Sequence, residues 1–295
     1  MSAGRRFLSH PISVLSLIVL VLLGAAALAA PLVEGWLGVD ANAVSLFNRF
    51  GPPSAENWLG TDELGRDVLV RLLYGGRVSL FVGIAAALAS AVIGTIVGLI
   101  AGFYGGRLDD FLMRLTDGVI ALPLLPLLIV LAAVDLGKLG LPAALAQSDQ
   151  VSLYRIIVIV SLAGWTTVAR LVRGAALSVR QREFVLAATA LGAGNVRLML
   201  VHILPNVASP IVVATTLSIG NIILLESVLS FLGLGIQPPL PSWGNMLTNA
   251  QELIWSAPLL AIYPGLLIFV TVIAFNFVGD GLQDALDPRS SPQRR

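Results

Sequence analysis

Few residues in this chain could do chemistry, and their spacing limits what that chemistry could be. Asp62, Glu63 and Asp67 lie close together, and paired carboxylates can share acid and base duties. Their setting, Asp62-Glu63-Leu64-Gly65-Arg66-Asp67, instead predicts a solvated turn followed by a helix start. His10 and His202 are the only histidines and stand in unrelated contexts, which leaves neither a metal cluster nor a histidine-based triad. Cysteine is absent, so thiolate nucleophiles and disulfides are excluded. The only lysine, Lys138, precedes Leu139, whereas a Walker loop needs lysine before serine or threonine to reach the phosphates. Gly192-Ala193-Gly194 follows no strand and makes no dinucleotide site. A polar face remains: Thr215, Ser218, Asn221 and Glu226 fall within about 140° at 100° per helical residue. Such a face either lines a path for a polar solute or hydrogen-bonds to neighbouring helices.

The elements that must carry these residues are membrane spans. Apolar residues make up 57% of the chain and charged residues 12%, with a mean hydropathy of +0.90, against about 25% charged in soluble domains. The net charge of +1 gives no argument for nucleic acid as a partner. Crossing the hydrocarbon takes about 20 apolar residues. Six stretches meet that need: Ile12–Ala30, Val78–Phe103, Phe111–Val134, Ile156–Ala169 extended at both ends, Val207–Phe231 and Leu259–Val278. Arg5-Arg6 before the first stretch and Ala27-Leu28-Ala29 at its end resemble a secretory signal, but the apolar run is longer than a signal h-region. An all-α protein with six transmembrane helices is expected. With the N-terminus inside, twelve of the eighteen basic residues fall on the cytoplasmic side, as the positive-inside bias requires. The second span carries Gly94, Gly98 and Gly102 at four-residue spacing, a stripe suited to close helix packing.

Between the fourth and fifth spans lies 175–204. Its first half, through Leu191, is rich in Ala, Leu and Arg and should be helical, and Gly192-Ala193-Gly194-Asn195 supplies a helix stop and turn. Two short helices joined by a bend would make a slim knob at the membrane surface. The spacing of Ala187-Ala188, Gly192 and Leu204-Pro205 resembles the coupling-loop motif of binding-protein-dependent ABC importer permeases. Trp58-Leu59-Gly60-Thr61-Asp62-Glu63-Leu64-Gly65-Arg66-Asp67-Val68, Ser230-Phe231-Leu232-Gly233-Leu234-Gly235-Ile236-Gln237-Pro238-Pro239, Pro241-Ser242-Trp243-Gly244-Asn245-Met246 and Asp284-Ala285-Leu286-Asp287-Pro288-Arg289 resemble the dipeptide/oligopeptide/nickel branch of that family, in its second, shorter-looped subunit type. One position departs: the family motif opens with Glu-Ala-Ala, whereas this chain has Leu186-Ala187-Ala188. Glu183, one helical turn earlier, could supply the acid, or Leu186 packs into an apolar part of the partner's groove.

The resemblance implies a type I ABC importer permease fold with a cytoplasmic coupling helix. Its expected parts are an N-terminal span with an extracytoplasmic segment (1–76), a five-helix core (77–288) containing the coupling loop, and a cytoplasmic tail (289–295). It further implies a second homologous permease and two cytoplasmic ATPase subunits that bind ATP and Mg, with no cofactor in this chain. An extracytoplasmic substrate-binding protein and a bacterial or archaeal cell membrane complete the picture. The ATPase-coupling residues would be Glu183, Leu186, Ala187, Ala188, Gly192, Leu204 and Pro205, and the translocation path would pass Thr215, Ser218, Asn221 and Glu226. Di- or oligopeptides are the expected cargo, with nickel, glutathione or an oligosaccharide as alternatives. An ion-gradient transporter would need more acids near the bilayer midplane. An intramembrane enzyme would need a nucleophile and base.

The arginine asymmetry predicts that both termini are cytoplasmic and that 34–76 is extracytoplasmic. Single cysteines placed at Ser54 and Ser290 in this cysteine-free chain should react oppositely with an impermeant thiol reagent added to sealed cells. The Ser54 site is labelled and the Ser290 site is not; labelling at Ser290 would overturn the topology.

Overall fold

The computed structural model describes residues 3–134 and 150–286. Lys138, most of the expected loop around 135–152, Asp287-Pro288-Arg289 and the tail 289–295 lie outside the described residues. The helices are α1 (Ala3–Leu8), α2 (Pro11–Leu28), α3 (Ala30–Leu37), α4 (Val68–Tyr104), α5 (Gly106–Ala121), α6 (Leu124–Ala132), α7 (Val151–Arg180), α8 (Glu183–Ala190), α9 (Asn195–Arg197), α10 (Ala208–Phe231), α11 (Ala250–Ser256) and α12 (Leu259–Leu286). The described residues form no strand, only an isolated bridge between Thr61 and Asp67.

Among the described residues five helical stretches are long and apolar enough to cross a bilayer, and the bent pair α5–α6 makes a sixth if counted as one span. The expected continuous span Phe111–Val134 is corrected here: its two halves meet at 85°. Pro123 forces the bend, because its ring pushes Leu122 out of the helical region, and Leu122 is extended at ψ 136°. Leu186, Phe81 and Val92 show how apolar the outer surface is. α2 inverts the pattern of a soluble helix by burying Ser13 and Ser16 while Leu15 and Leu22 point outward.

α4 starts ten residues before the expected Val78, so the boundary drawn at 76/77 falls inside one uninterrupted helix. Its start is set by Asp67, whose side chain accepts from the Val70 amide at 2.8 Å, an N-cap. Burial pushes the Asp67 carboxyl up, opposed by the amides of Val70 and Leu69. Asp62 is not solvated as expected but buried. Its carboxylate takes the Leu64 and Arg66 amides at 2.9 and 3.0 Å and the Arg66 Nε at 2.7 Å. Arg71, also buried, donates to the Ala41 carbonyl and Asn42 Oδ1 at 3.3 Å and lies 3.5 Å from Asp62. Gly65, at φ +75°, sits so close to Ser45 that a Cβ would strike its carbonyl. The motif therefore folds as a turn that clamps the preceding loop onto the head of α4.

The core is built on α4 against α7. A Cβ at Gly94 would lie 2.5 Å from the Trp165 carbonyl, one at Gly102 would lie 2.8 Å from that of Arg173, and one at Gly98 would collide with that of Ala169. The glycine stripe is a packing seam. Asp109 of α5 receives Arg173 of α7 through Nε and Nη2 at 2.5 and 2.6 Å, and Asp117 receives Arg170. These pairs tie the first half of the bent span to the seam.

Gly98→Val should destabilise the bundle by at least about 2 kcal/mol, since overpacking a fitted site costs about 1–3 kcal/mol and the clash here is with backbone. Gly24→Ala, where an added Cβ meets nothing within 4 Å, is the control. Thermal unfolding in detergent, followed by size-exclusion, should show a clear drop for the first and none for the second. An unchanged midpoint in Gly98→Val would remove the seam from the account.

Candidate functional site

The segment between α7 and α10 breaks twice. α7 ends at Arg180, earlier than the expected helix through Leu191, and Arg182 is extended at φ −76°, ψ 147°. The detour lets Val185 fold back into a buried cluster with Val179, Leu198, Ile203 and Val207, apolar area that a straight continuation of α7 would leave outside. α8 then runs for eight residues with Glu183 in its first turn, where an acid suits the positive end of the helix dipole. It ends in a Schellman motif: the Gly192 amide donates to the Thr189 carbonyl at 2.9 Å and the Ala193 amide to that of Ala188 at 3.0 Å. Ala188 and Ala193 both pack on the same cluster, the apolar contact that accompanies this cap.

Gly192 has φ +81° and an added Cβ would meet nothing within 4 Å. The chain needs glycine there for its backbone conformation and leaves the space around it open. α8 is anchored by Val185 and the half-buried Ala188 and exposed elsewhere: Val185 is 2% accessible, while Leu186 is 58% and Leu191 89% accessible. Glu183 and Ala187 are exposed too. Beyond Gly194 the chain re-enters helix as α9, widens into a π turn over Leu198–Ile203 and tightens into a 3-10 turn over Leu204–Val207 before α10. Pro205 accounts for the irregularity, because it has no amide for the regular bond and its ring crowds the preceding turn. Leu204 packs against the Val185 cluster and Pro205 is exposed. The structure thus gathers Glu183, Leu186, Ala187, Ala188, Gly192, Leu204 and Pro205 on one small projection and its root.

The polar face of α10 is divided. Ser218 and Asn221 line a cavity of about 270 Å³ together with Thr166 and Thr167 of α7 and Leu122 at the α5–α6 bend. Thr215 lies instead beside Leu88, Val92 and Ile96 in an apolar groove between α4 and α10. Glu226 is fully buried and accepts from Ser230 Oγ at 2.7 Å and Ser79 Oγ at 3.2 Å. The four residues therefore do not share one lining: Ser218 and Asn221 border the cavity, Thr215 borders the groove, and Glu226 lies in the bundle core. Sequence reasoning also missed Arg170 and Arg173 as partners of Asp117 and Asp109. The clue was two acids and two arginines in or beside spans, where charges pair or face water.

Residues 94–292 match the family described as binding-protein-dependent transport system inner membrane component. Among curated relatives, the oligopeptide transport system permease protein OppC of Bacillus subtilis (strain 168) is 40% identical over 97% of this chain and 88% of its own length. The dipeptide transport system permease protein DppC of the same organism is 41% identical over 97% and 85%. The nickel transport system permease protein NikC of Escherichia coli (strain K12) is 40% identical over 96% of both chains. A solved structure, titled as the crystal structure of an amino acid ABC transporter with histidines, superposes with a TM-score of 0.52 over 74% of this chain and 94% of that one, at 14% identity. That likeness supports the fold. With the bent α5–α6 pair, the projecting α8 and near full-length relatives in agreement, this multi-pass membrane chain belongs to the binding-protein-dependent transport system inner membrane component family.

Proposed function

We propose that the chain is the permease subunit of an ATP-driven importer that moves di- or oligopeptides through a pore shared with a second, homologous permease. Two cytoplasmic ATPase subunits bind ATP and Mg, one docking on α8 and the other on the matching segment of the second permease. An extracytoplasmic binding protein delivers the cargo, and both termini of this chain are cytoplasmic. The observation that carries the reading is α8 itself: a slim, exposed helix fixed by Val185 and Ala188 to the root of α10. A force applied to α8 reaches the bundle through that buried root. Closing of the ATPases would then rock α10 and expose the central path alternately to the two sides, and Ser218 and Asn221 line that path at the α5–α6 bend. Leu186, with Leu191 beyond it, offers an apolar contact to the ATPase groove where the family motif has an acid. Peptide cargo is supported by the oligopeptide and dipeptide permeases among the relatives; the nickel permease, at similar identity, supports the second reading. Uptake of labelled dipeptide and of nickel by proteoliposomes holding the full complex and ATP, with no ion gradient, separates them. Nickel uptake without peptide uptake would overturn the first.

Gly192→Glu places a β-carbon and a charge at a left-handed position, at a cost of about 1–2 kcal/mol in backbone strain, and blocks the approach of a partner. The spans should insert normally while transport and ATPase association are lost. Ala188→Trp should behave alike, because it also unseats α8 from its cluster, whereas Leu186→Glu should be tolerated. Transport and ATP hydrolysis on the same reconstituted complexes, with assembly checked by co-purification, decide the matter. Normal coupled transport in both Gly192→Glu and Ala188→Trp would remove α8 from the mechanism.

A further inference from the structure

Glu226 is left unused by the path, and it is the largest charged side chain wholly enclosed among the described residues. Its surroundings have a repeated form. Ser230 Oγ accepts the Ile236 amide at 3.0 Å and donates to Glu226 at 2.7 Å. Ser79 Oγ, on α4, accepts the Trp243 amide at 3.2 Å and donates to Glu226 at 3.2 Å. Each serine thus takes one backbone amide of the 232–249 loop and passes its own proton toward Glu226. Chains of this kind reinforce one another, and a carboxylate, with acceptors only, completes both.

The loop is seated closely as well as bonded. A Cβ at Gly244 would lie 2.5 Å from the Ser227 Cα of α10, and one at Gly76 would lie 2.8 Å from the Trp243 ring. Trp243 is buried and donates from its indole to the Leu72 carbonyl of α4 at 2.9 Å. The other end of α10 is continuous with the root of α8, as one helical stretch Asn195–Phe231. At about 1.5 Å per residue this stretch is about 55 Å long, enough to cross the membrane.

We propose that Glu226 fastens the 232–249 loop to α10 and α4, so that loop and helix move as one body and docking of the binding protein outside is transmitted along α10 to α8. This rests on the proposed permease function and makes Glu226 a positioning residue that touches neither cargo nor nucleotide. Glu226→Gln keeps the volume but replaces an acceptor with a donor, so one serine must turn its proton away. In the reconstituted complex, the variant should keep its basal ATP hydrolysis. Stimulation of that hydrolysis by loaded binding protein should fall about tenfold, the scale of a lost charge-assisted hydrogen bond, and transport should fall with it. Hydrogen exchange at the Ile236 and Trp243 amides should quicken. Glu226→Asp should recover part of the stimulation.

Unchanged exchange, or quickened exchange with stimulation intact, would overturn the proposal. If Glu226→Gln fails to assemble, Ser79→Ala, which removes one donor, is read by exchange at the Ile236 amide and by stimulation, with the same criteria. Gly192→Glu run in parallel separates the two readings. Loss of stimulation in Glu226→Gln alone would unseat α8 as the receiver and overturn transmission to it, whereas loss in Gly192→Glu alone would overturn only the role of Glu226.

Discussion

Backbone-to-backbone approach between α4 and α7 governs this bundle. Lipid tails are as apolar as leucine, so helices gain little by hiding side chains from them, and close packing must hold the pair together. Gly94, Gly98 and Gly102 allow that packing by presenting no side chain where the carbonyls of Trp165, Ala169 and Arg173 come nearest. Once α7 is fixed along α4, its arginines meet Asp109 and Asp117. The first half of the bent span is thereby positioned, and the bend opens the cavity lined by Ser218 and Asn221.

Within this frame two buried acids are satisfied by short local partners. Asp62 collects two amides and an arginine from the turn it sits in. Glu226 collects serine hydroxyls from α4 and from its own helix. An unpaired carboxylate at either place would be costly, so each acid fixes the geometry of the groups around it. Asp62 organises the loop before α4, and Glu226 organises the loop after α10. Both loops meet at the head of α4, where Trp243 packs with Val68 and Leu72.

The sequence was most legible where a residue type has one physical use. The four-residue glycine spacing marked the seam, and the glycine turn after Leu191 marked the end of α8. Periodicity was less informative where tertiary contacts decide the outcome. The stretch from Phe111 to Val134 gives no measure of an 85° bend, although Pro123 marks where one could form. The early end of α7 depends on Val185 reaching a cluster assembled from five other elements, a contact no local pattern encodes. The helical arc grouped Thr215 and Glu226 with Ser218 and Asn221 correctly by angle. Only the neighbours of α10 divide that arc between core and cavity.

The two kinds of glycine in this chain separate fold from function. At Gly98 a methyl group would strike the opposing helix, so packing alone explains the residue. At Gly192 a methyl group would touch nothing, and the left-handed backbone is the only internal requirement. A helix end could have been capped at lower entropic cost by asparagine, which tolerates this conformation. The tight Schellman turn instead keeps α8 short, projecting and narrow at its tip, with Leu191 almost fully exposed beside it. An apolar side chain held outward by an ordered turn gains nothing within the chain, and its stabilisation has to come from a surface that another molecule brings.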